Sequence, residues 1–189
     1  MNCNEEQKSI VEEVKDTDKP VCSIIKSYLK NYLPSNLSIV GLHKSINGIK
    51  DKSQRLIIIK KESEFKESLD VSDVKAVIAI RKNGWLYEKW GDFERVKNKK
   101  VLFDKIREKE QQITKKKSKI VCCCLAIMDR IPEKIDSHDY VGKTKYLLKP
   151  YEYFVLSNHQ NYEPHPKLKN DWKNLLKKLK SNVRINSKI

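Results

Sequence analysis

Three short runs of almost uninterrupted apolar residues constrain the fold of this chain more than any other feature. They read RLIIIKK at residues 55–61, VKAVIAI at 74–80 and IVCCCLAIM at 120–128. A strand with one solvated face alternates apolar and polar residues, whereas a strand covered on both faces does not. LSIVG at 37–41 and EYFVLS at 152–157 predict two further strands. The sequence therefore predicts a mostly parallel or mixed sheet with helices on both of its faces.

Helical patterns separate these strands. Apolar residues three and four positions apart predict helices over residues 21–32, 42–50, 62–73 and 97–117. Strands that alternate with helices are typical of α/β proteins. We expect a single-domain α-β-α sandwich that begins with a β-α-β unit over residues 37–61.

The organisation along the chain follows from composition. A length of 189 residues suits one domain. We assign residues 1–19 to a polar N-terminal segment, 20–160 to the α/β domain and 161–189 to a basic amphipathic C-terminal helix and tail. The last helix carries an apolar stripe among lysines, formed by Trp172, Leu175, Leu176 and Leu179.

The charge balance indicates the class of partner. Lys and Arg number 40 against 25 Asp and Glu, which gives a formal net charge of +15. Positive charges in this excess repel one another, and such an excess is typical of proteins that bind a polyanion. Nucleic acid is the first candidate. The alternative is that lysine simply fills solvated surface. The charge therefore favours a class of ligand without identifying it.

Membrane and disulfide signals are weak. The sequence has no run of about 18 to 20 apolar residues and no apolar region near its start that resembles a signal peptide. We therefore expect a soluble, intracellular protein without membrane association. Five cysteines are an odd number, and the three consecutive ones lie on a predicted strand, where successive side chains point to opposite faces. A disulfide framework is not expected.

Catalytic and metal-binding motifs are also weak. Asp70 and Asp73 precede the strand at 74–80, but that strand carries no acid for a metal-dependent nuclease. The four histidines belong to no nucleophile motif, and the cysteine and histidine spacings do not fit zinc. We assign no catalytic residue, no metal and no cofactor. A small nucleic-acid-modifying enzyme stays as an alternative, and it would require Asp70, Asp73 and a lysine to converge in a pocket.

Three basic elements support nucleic-acid binding instead. They lie around the segment after Gly41, in the run KKKSK, and in the C-terminal helix. Their lysines are Lys44, then Lys115, Lys116, Lys117 and Lys119, then Lys177 and Lys178. Lysine contacts to phosphates give salt-dependent affinity with little sequence readout. Neighbouring aromatic residues, among them Tyr151 and Tyr153, would stack on unpaired bases if they were exposed.

A family resemblance adds to this interpretation. The order helix, NLSIVG, helix, RLIIIKK resembles the start of the kink-turn-binding ribosomal-protein superfamily, and SNLSIVGLHKSINGIKD is similar to its fungal ribonuclease P and MRP protein-subunit branch. The likeness covers residues 21–130. It implies that a helix N-terminus after Gly41 meets RNA, with His43, Lys44 and Asn47 beside it. The glutamate that reads G·A pairs in the superfamily has no counterpart here.

The resemblance implies a non-catalytic subunit of a ribonucleoprotein in the nucleus or nucleolus, acting in tRNA 5′ processing or pre-rRNA cleavage. Its partners would be structured RNA and other protein subunits. An alternative from another class is a protein-interaction subunit that docks through Trp172, Leu175, Leu176 and Leu179. Exposure of that stripe would favour docking, and burial against the sheet would count against it.

Overall fold

A computed structural model describes residues 23, 25–27, 29–41, 44–50, 55–82, 90–128, 140–157 and 169–184 of the chain. The strands are β1 (Leu37–Val40), β2 (Ser45–Ile46), β3 (Arg55–Lys60), β4 (Ser68–Leu69), β5 (Val74–Lys82), β6 (Val121–Met128) and β7 (Glu152–Ser157). The helices are α1 (helical residues 23, 25–27 and 29–30), α2 (Trp90–Thr114), α3 (Tyr140–Leu148) and α4 (Lys169–Arg184). Two 3-10 turns cover Lys61–Ser63 and Val71–Asp73.

Five of the strands form a mixed sheet in the order β1-β3-β5-β6-β7. The β1–β3 and β3–β5 pairs are antiparallel, while β5–β6 and β6–β7 are parallel. The three apolar runs that defined the fold class are the three central strands. They lack alternation because both of their faces are covered.

Two hydrophobic clusters lie on opposite faces of this sheet. One contains Phe103 and Ile106 of α2 and Leu148 of α3, and the other contains Ile25 and Leu29 of α1 together with residues of α4. The predicted α/β class and the sandwich with a mixed sheet are therefore confirmed. None of the described helices is long and apolar enough to cross a membrane.

The three consecutive cysteines behave as apolar strand residues. Cys122 and Cys124 belong to the cluster under α2, and Cys123 belongs to the opposite cluster. Burial raises the pKa of Cys122 to about 12 and raises the pKa of Cys123 and Cys124 as well. None of these three thiols is in a disulfide, and none has the lowered pKa of a reactive cysteine.

The predicted helix over 42–50 and the β-α-β unit around it are wrong. Residues 45–46 form β2, which pairs in parallel with β4, and β1 runs antiparallel to β3. Ile46 and Ile49 are both buried because a turn, not a helix, brings them together as a bridge. Gly48 makes this turn with φ +71°, a conformation that glycine adopts without steric cost.

The predicted helix over 62–73 is also wrong. Its residues form the two 3-10 turns and β4, and Phe65, expected on the apolar face, is 93% exposed. Helix α2 confirms the long charged helix, but it begins at Trp90, and Val101 and Ile113 of the predicted stripe are exposed. Leu102, Phe103 and Ile106 carry its packing. Helix α3 was not predicted.

The apolar stripe of α4 belongs to the core. Leu175 and Leu179 are buried in the cluster that covers β5 and β7, and Leu176 packs against it. The side chain of Trp172 lies outside the described part. The burial of Leu175 and Leu179 against the sheet therefore counts against docking of a partner through these two residues.

Candidate nucleic-acid interface

The connection between α2 and β6 presents the longest basic run of the chain. Helix α2 ends at Thr114, and Lys115 follows with φ +54°, its N–H donating to the Gln111 carbonyl at 2.9 Å. This left-handed residue terminates the helix and turns the chain outward. We call residues 115–119 the lysine loop; Lys115, Lys116, Lys117 and Lys119 are all exposed there.

A single carboxylate of α2 holds the lysine loop in place. Glu110 Oε2 accepts hydrogen bonds from the Ser118 hydroxyl, from the Lys119 N–H at 3.0 Å and from the Ile120 N–H at 3.3 Å. Ser118 is buried beneath the loop. The acid therefore fixes the backbone while the lysine side chains remain exposed on the surface.

We predict that Glu110→Ala destabilises the protein by about 1–3 kcal/mol, because two amides and a partly buried hydroxyl lose their common acceptor. Glu110→Gln keeps a side-chain oxygen and should lose less. Urea unfolding measures both, with Glu108→Ala as the control, since Glu108 is an exposed acid of the same helix. Equal stability of the Glu110→Ala and Glu108→Ala proteins would contradict the anchoring role.

Further lysines lie at the same end of the sheet. Lys60 ends β3, Lys75 lies at the start of β5, and Lys119 precedes β6, so neighbouring strands place them side by side. Burial lowers the pKa of Lys75, and the charges of Lys60 and Lys119 lower it further. An anion bound at this end of the sheet would relieve that repulsion.

A groove of about 290 Å³ opens beside the lysine loop. Its charged lining is Arg107 of α2, Lys119 of the loop, Lys178 of α4 and Glu152 of β7. Lys178 Nζ lies 2.7 Å from Glu152 Oε1. Two lysines predicted from separate basic elements, Lys119 and Lys178, thus line one site, while Lys177 is exposed next to it on α4.

The first predicted cluster has a structural role. Lys44 Nζ donates to the carbonyl of Lys66, and Asn47 Nδ2 donates to Asp70 Oδ1 at 2.9 Å. The carbonyl of Asn47 accepts from Lys109 Nζ at 2.5 Å. Since Lys109 and Glu110 are consecutive in α2, this cluster and the lysine loop are tied to the same turn of the helix. His43 lies outside the described residues.

The close approach of RNA to the Gly41 backbone stays a prediction. Among the described residues of the protein, a Cβ at Gly41 would have no atom within 4 Å, so packing within the protein does not require glycine there. The constrained glycine is Gly48, because its φ of +71° is a conformation that residues with a side chain rarely adopt. No helix begins in residues 44–50, so the described part of this segment has no helix N-terminus to bind a phosphate.

The acids of the enzyme alternative do converge with a lysine. Lys66 Nζ lies 2.7 Å from Asp73 Oδ2 and 3.8 Å from Asp70 Oδ2. Asp70 and Asp73 also form a capping box at the second 3-10 turn. Burial would raise the pKa of Asp73, but the hydrogen bonds from Lys66 Nζ and the Asp70 N–H, together with the charge of Lys66, outweigh it, and the pKa is lowered. Capping and ion pairing account for this arrangement.

Metal ligands and aromatic stacking surfaces are the other site groups that the sequence raises. Within the described residues, no group of three or more His, Cys, Asp or Glu side chains could hold a metal ion. Tyr151 and Tyr153 are buried, so they do not provide stacking surfaces. The interpretation of the sequence missed Arg107 and Lys75. Lys75 could have been recognised as a candidate, because it is a lysine inside the apolar run at 74–80. Nothing in the sequence distinguishes Arg107 from the other basic residues.

No protein-family model matches this sequence, and no curated protein is significantly similar to it.

Proposed function

We propose that this chain is an RNA-binding, non-catalytic protein subunit of a ribonucleoprotein. The observation that supports the proposal is the lysine loop, which exposes four lysines beside a cationic groove and whose last residues are held by Glu110. Exposed lysines on a fixed backbone suit the phosphates of a nucleic acid strand, because the loop loses little conformational freedom on binding.

The lysines would act by neutralising phosphates and releasing counterions. Lys115, Lys116 and Lys117 would contact the backbone of the RNA, and Lys60 and Lys75 would extend the basic surface along the end of the sheet. Such contacts position a protein on nucleic acid without reading its sequence. The resemblance to the ribonuclease P and MRP protein-subunit branch favours RNA over DNA, and processing of tRNA or pre-rRNA in the nucleus or nucleolus over other roles.

Ultraviolet crosslinking in the native cells tests this proposal. The protein is isolated at low salt after irradiation, the attached nucleic acid is sequenced, and the crosslinked peptides are identified by mass spectrometry. We expect one or two structured non-coding RNAs, attached at peptides that contain residues 115–119. No RNA above the background of an unrelated basic protein would refute the proposal and leave the charge of +15 as ordinary surface chemistry.

A further inference from the structure

The groove beside the lysine loop contains an arginine that is held by an aromatic ring. The Arg107 guanidinium lies over the Tyr151 ring, 5.7 Å from its centroid. The ring itself is fixed, since its hydroxyl donates to Asp104 Oδ1 at 2.5 Å and it packs edge-on against Phe103 with a centroid distance of 5.1 Å. Burial raises the pKa of Tyr151, so this hydroxyl stays protonated at neutral pH and continues to donate. Arg107 therefore rests on a rigid support.

Arg107 has hydrogen-bonding capacity that the described residues do not use. Among the residues that the structure describes, no side chain or carbonyl accepts a hydrogen bond from its guanidinium, and no carboxylate forms an ion pair with it. The nearby carboxylate of Asp104 accepts from Tyr151 instead. A half-buried guanidinium has lost part of its hydration, so an oxyanion acceptor in the groove would replace the lost hydrogen bonds.

The other groups of the groove fit the same ligand. Lys119 and Lys178 supply two more cations from different elements, and Glu152 is the acid that partly offsets them. Ile120, Cys122 and Pro150 provide apolar surface beside these charges. A volume of about 290 Å³ accommodates one phosphate with its sugar, not a length of strand.

We propose that this groove binds a single phosphate group of a nucleotide, with the Arg107 fork as its bidentate donor and with Lys119 and Lys178 as the other cations of the lining. The inference rests on the proposed RNA-binding function and gives that surface a defined subsite. The phosphate is either the terminal phosphate of a strand or an internal phosphodiester. A planar fork matches two phosphate oxygens, which a lysine ammonium cannot do.

Arg107→Lys tests the groove because it keeps the charge and removes the fork. Binding is measured with one oligoribonucleotide in three forms, carrying a 5′-phosphate, a 3′-phosphate or hydroxyls at both ends. We expect Arg107→Lys to weaken binding about tenfold, the value of one charge-assisted hydrogen bond. Arg95→Lys, the same substitution at an exposed residue in the first half of α2, is the matched control and should bind as the wild type does.

The three oligonucleotides separate the two sources of phosphate. A loss confined to one phosphorylated form assigns the groove to a strand end, while an equal loss in all three assigns it to an internal phosphodiester. If Arg107→Lys binds all three as the wild type does while the lysine-loop variant described below binds weakly, the groove is refuted and the RNA-binding function stands.

A readout that does not need a long strand completes the test. In the wild type, the Arg107 Nε–H resonance should shift on addition of a nucleoside 5′-monophosphate or of the oligonucleotides. A wild-type protein that binds no oligonucleotide but shows this shift with the monophosphate would refute the RNA-binding function and retain the groove. No shift with any of these probes would overturn the groove.

Discussion

Changing Lys115, Lys116 and Lys117 together to glutamate is expected to weaken RNA binding on the order of a hundredfold at 0.1 M salt. Each lysine that contacts a phosphate releases about 0.7 to 0.9 of a counterion. Three lost contacts should therefore make the negative slope of log K against log salt shallower by about two to three. The fold should persist, because these side chains are exposed and the backbone of the loop is held by Glu110.

Measuring the affinity at salt concentrations from about 50 to about 300 mM, which bracket cellular ionic strength, checks both the loss of affinity and its salt dependence. The control carries the same charge change elsewhere, with Lys105, Lys169 and Lys173 replaced by glutamate; all three are exposed on α2 or α4. A general effect of net charge would weaken both triple variants equally. Only a larger loss and a flatter slope in the loop variant support the lysine loop as the binding surface.

Leu175→Ala should destabilise the protein by about 2–5 kcal/mol, because the substitution leaves a cavity between α4 and the sheet. Leu175 is fully buried, and its cluster includes strand residues such as Phe154 and Ile78. For a chain of this length each kcal/mol lowers Tm by about 2–4 °C. Thermal unfolding followed by circular dichroism measures the change.

Leu176→Ala is the matched control. Leu176 is the next residue of α4 and is only partly buried, so its truncation should destabilise the protein less. The comparison decides between two roles for the apolar stripe. A surface that docks a partner would tolerate both substitutions in the isolated protein. An unchanged Tm for Leu175→Ala would mean that α4 does not pack on the sheet and would restore the docking hypothesis.

The strands were predictable because burial on both faces leaves a direct mark on the sequence. β3, β5 and β6 lie between other strands and under helices, so they carry apolar residues at nearly every position. Their direction was not predictable in the same way. A central strand loses its alternation whether its neighbours are parallel or antiparallel, and β3 is antiparallel to both of its neighbours.

The errors over residues 42–73 have a common physical origin. An interval of three residues suits one face of a helix, but it also suits two strand residues joined by a tight turn, as Ile46 and Ile49 are through Gly48. In the second segment, the capping box of Asp70 and Asp73 starts a 3-10 turn instead of continuing a helix. Local spacing cannot distinguish these cases, because the choice depends on the sheet against which the side chains pack.

The candidate site was predictable only in its local part. A run of lysines is visible in any sequence, and the structure shows that Lys115 to Lys117 are exposed. The groove is different, since Arg107, Lys119 and Lys178 come from three elements that only the tertiary fold brings together. The contact between the Arg107 guanidinium and the Tyr151 ring likewise joins residues that are 44 positions apart in the sequence.

The hold of Glu110 on the lysine loop has a consequence for how this surface can change. Two of its three hydrogen bonds come from main-chain amides, which every residue except proline supplies. The side chains at positions 116, 117 and 119 are therefore replaceable without rebuilding the loop, provided that Ser118 stays, whereas position 115 needs a residue that tolerates the left-handed conformation. A library randomised at positions 116, 117 and 119 should yield mostly folded proteins, so that this scaffold can acquire new ligand preferences by single substitutions, without compensating changes in its core.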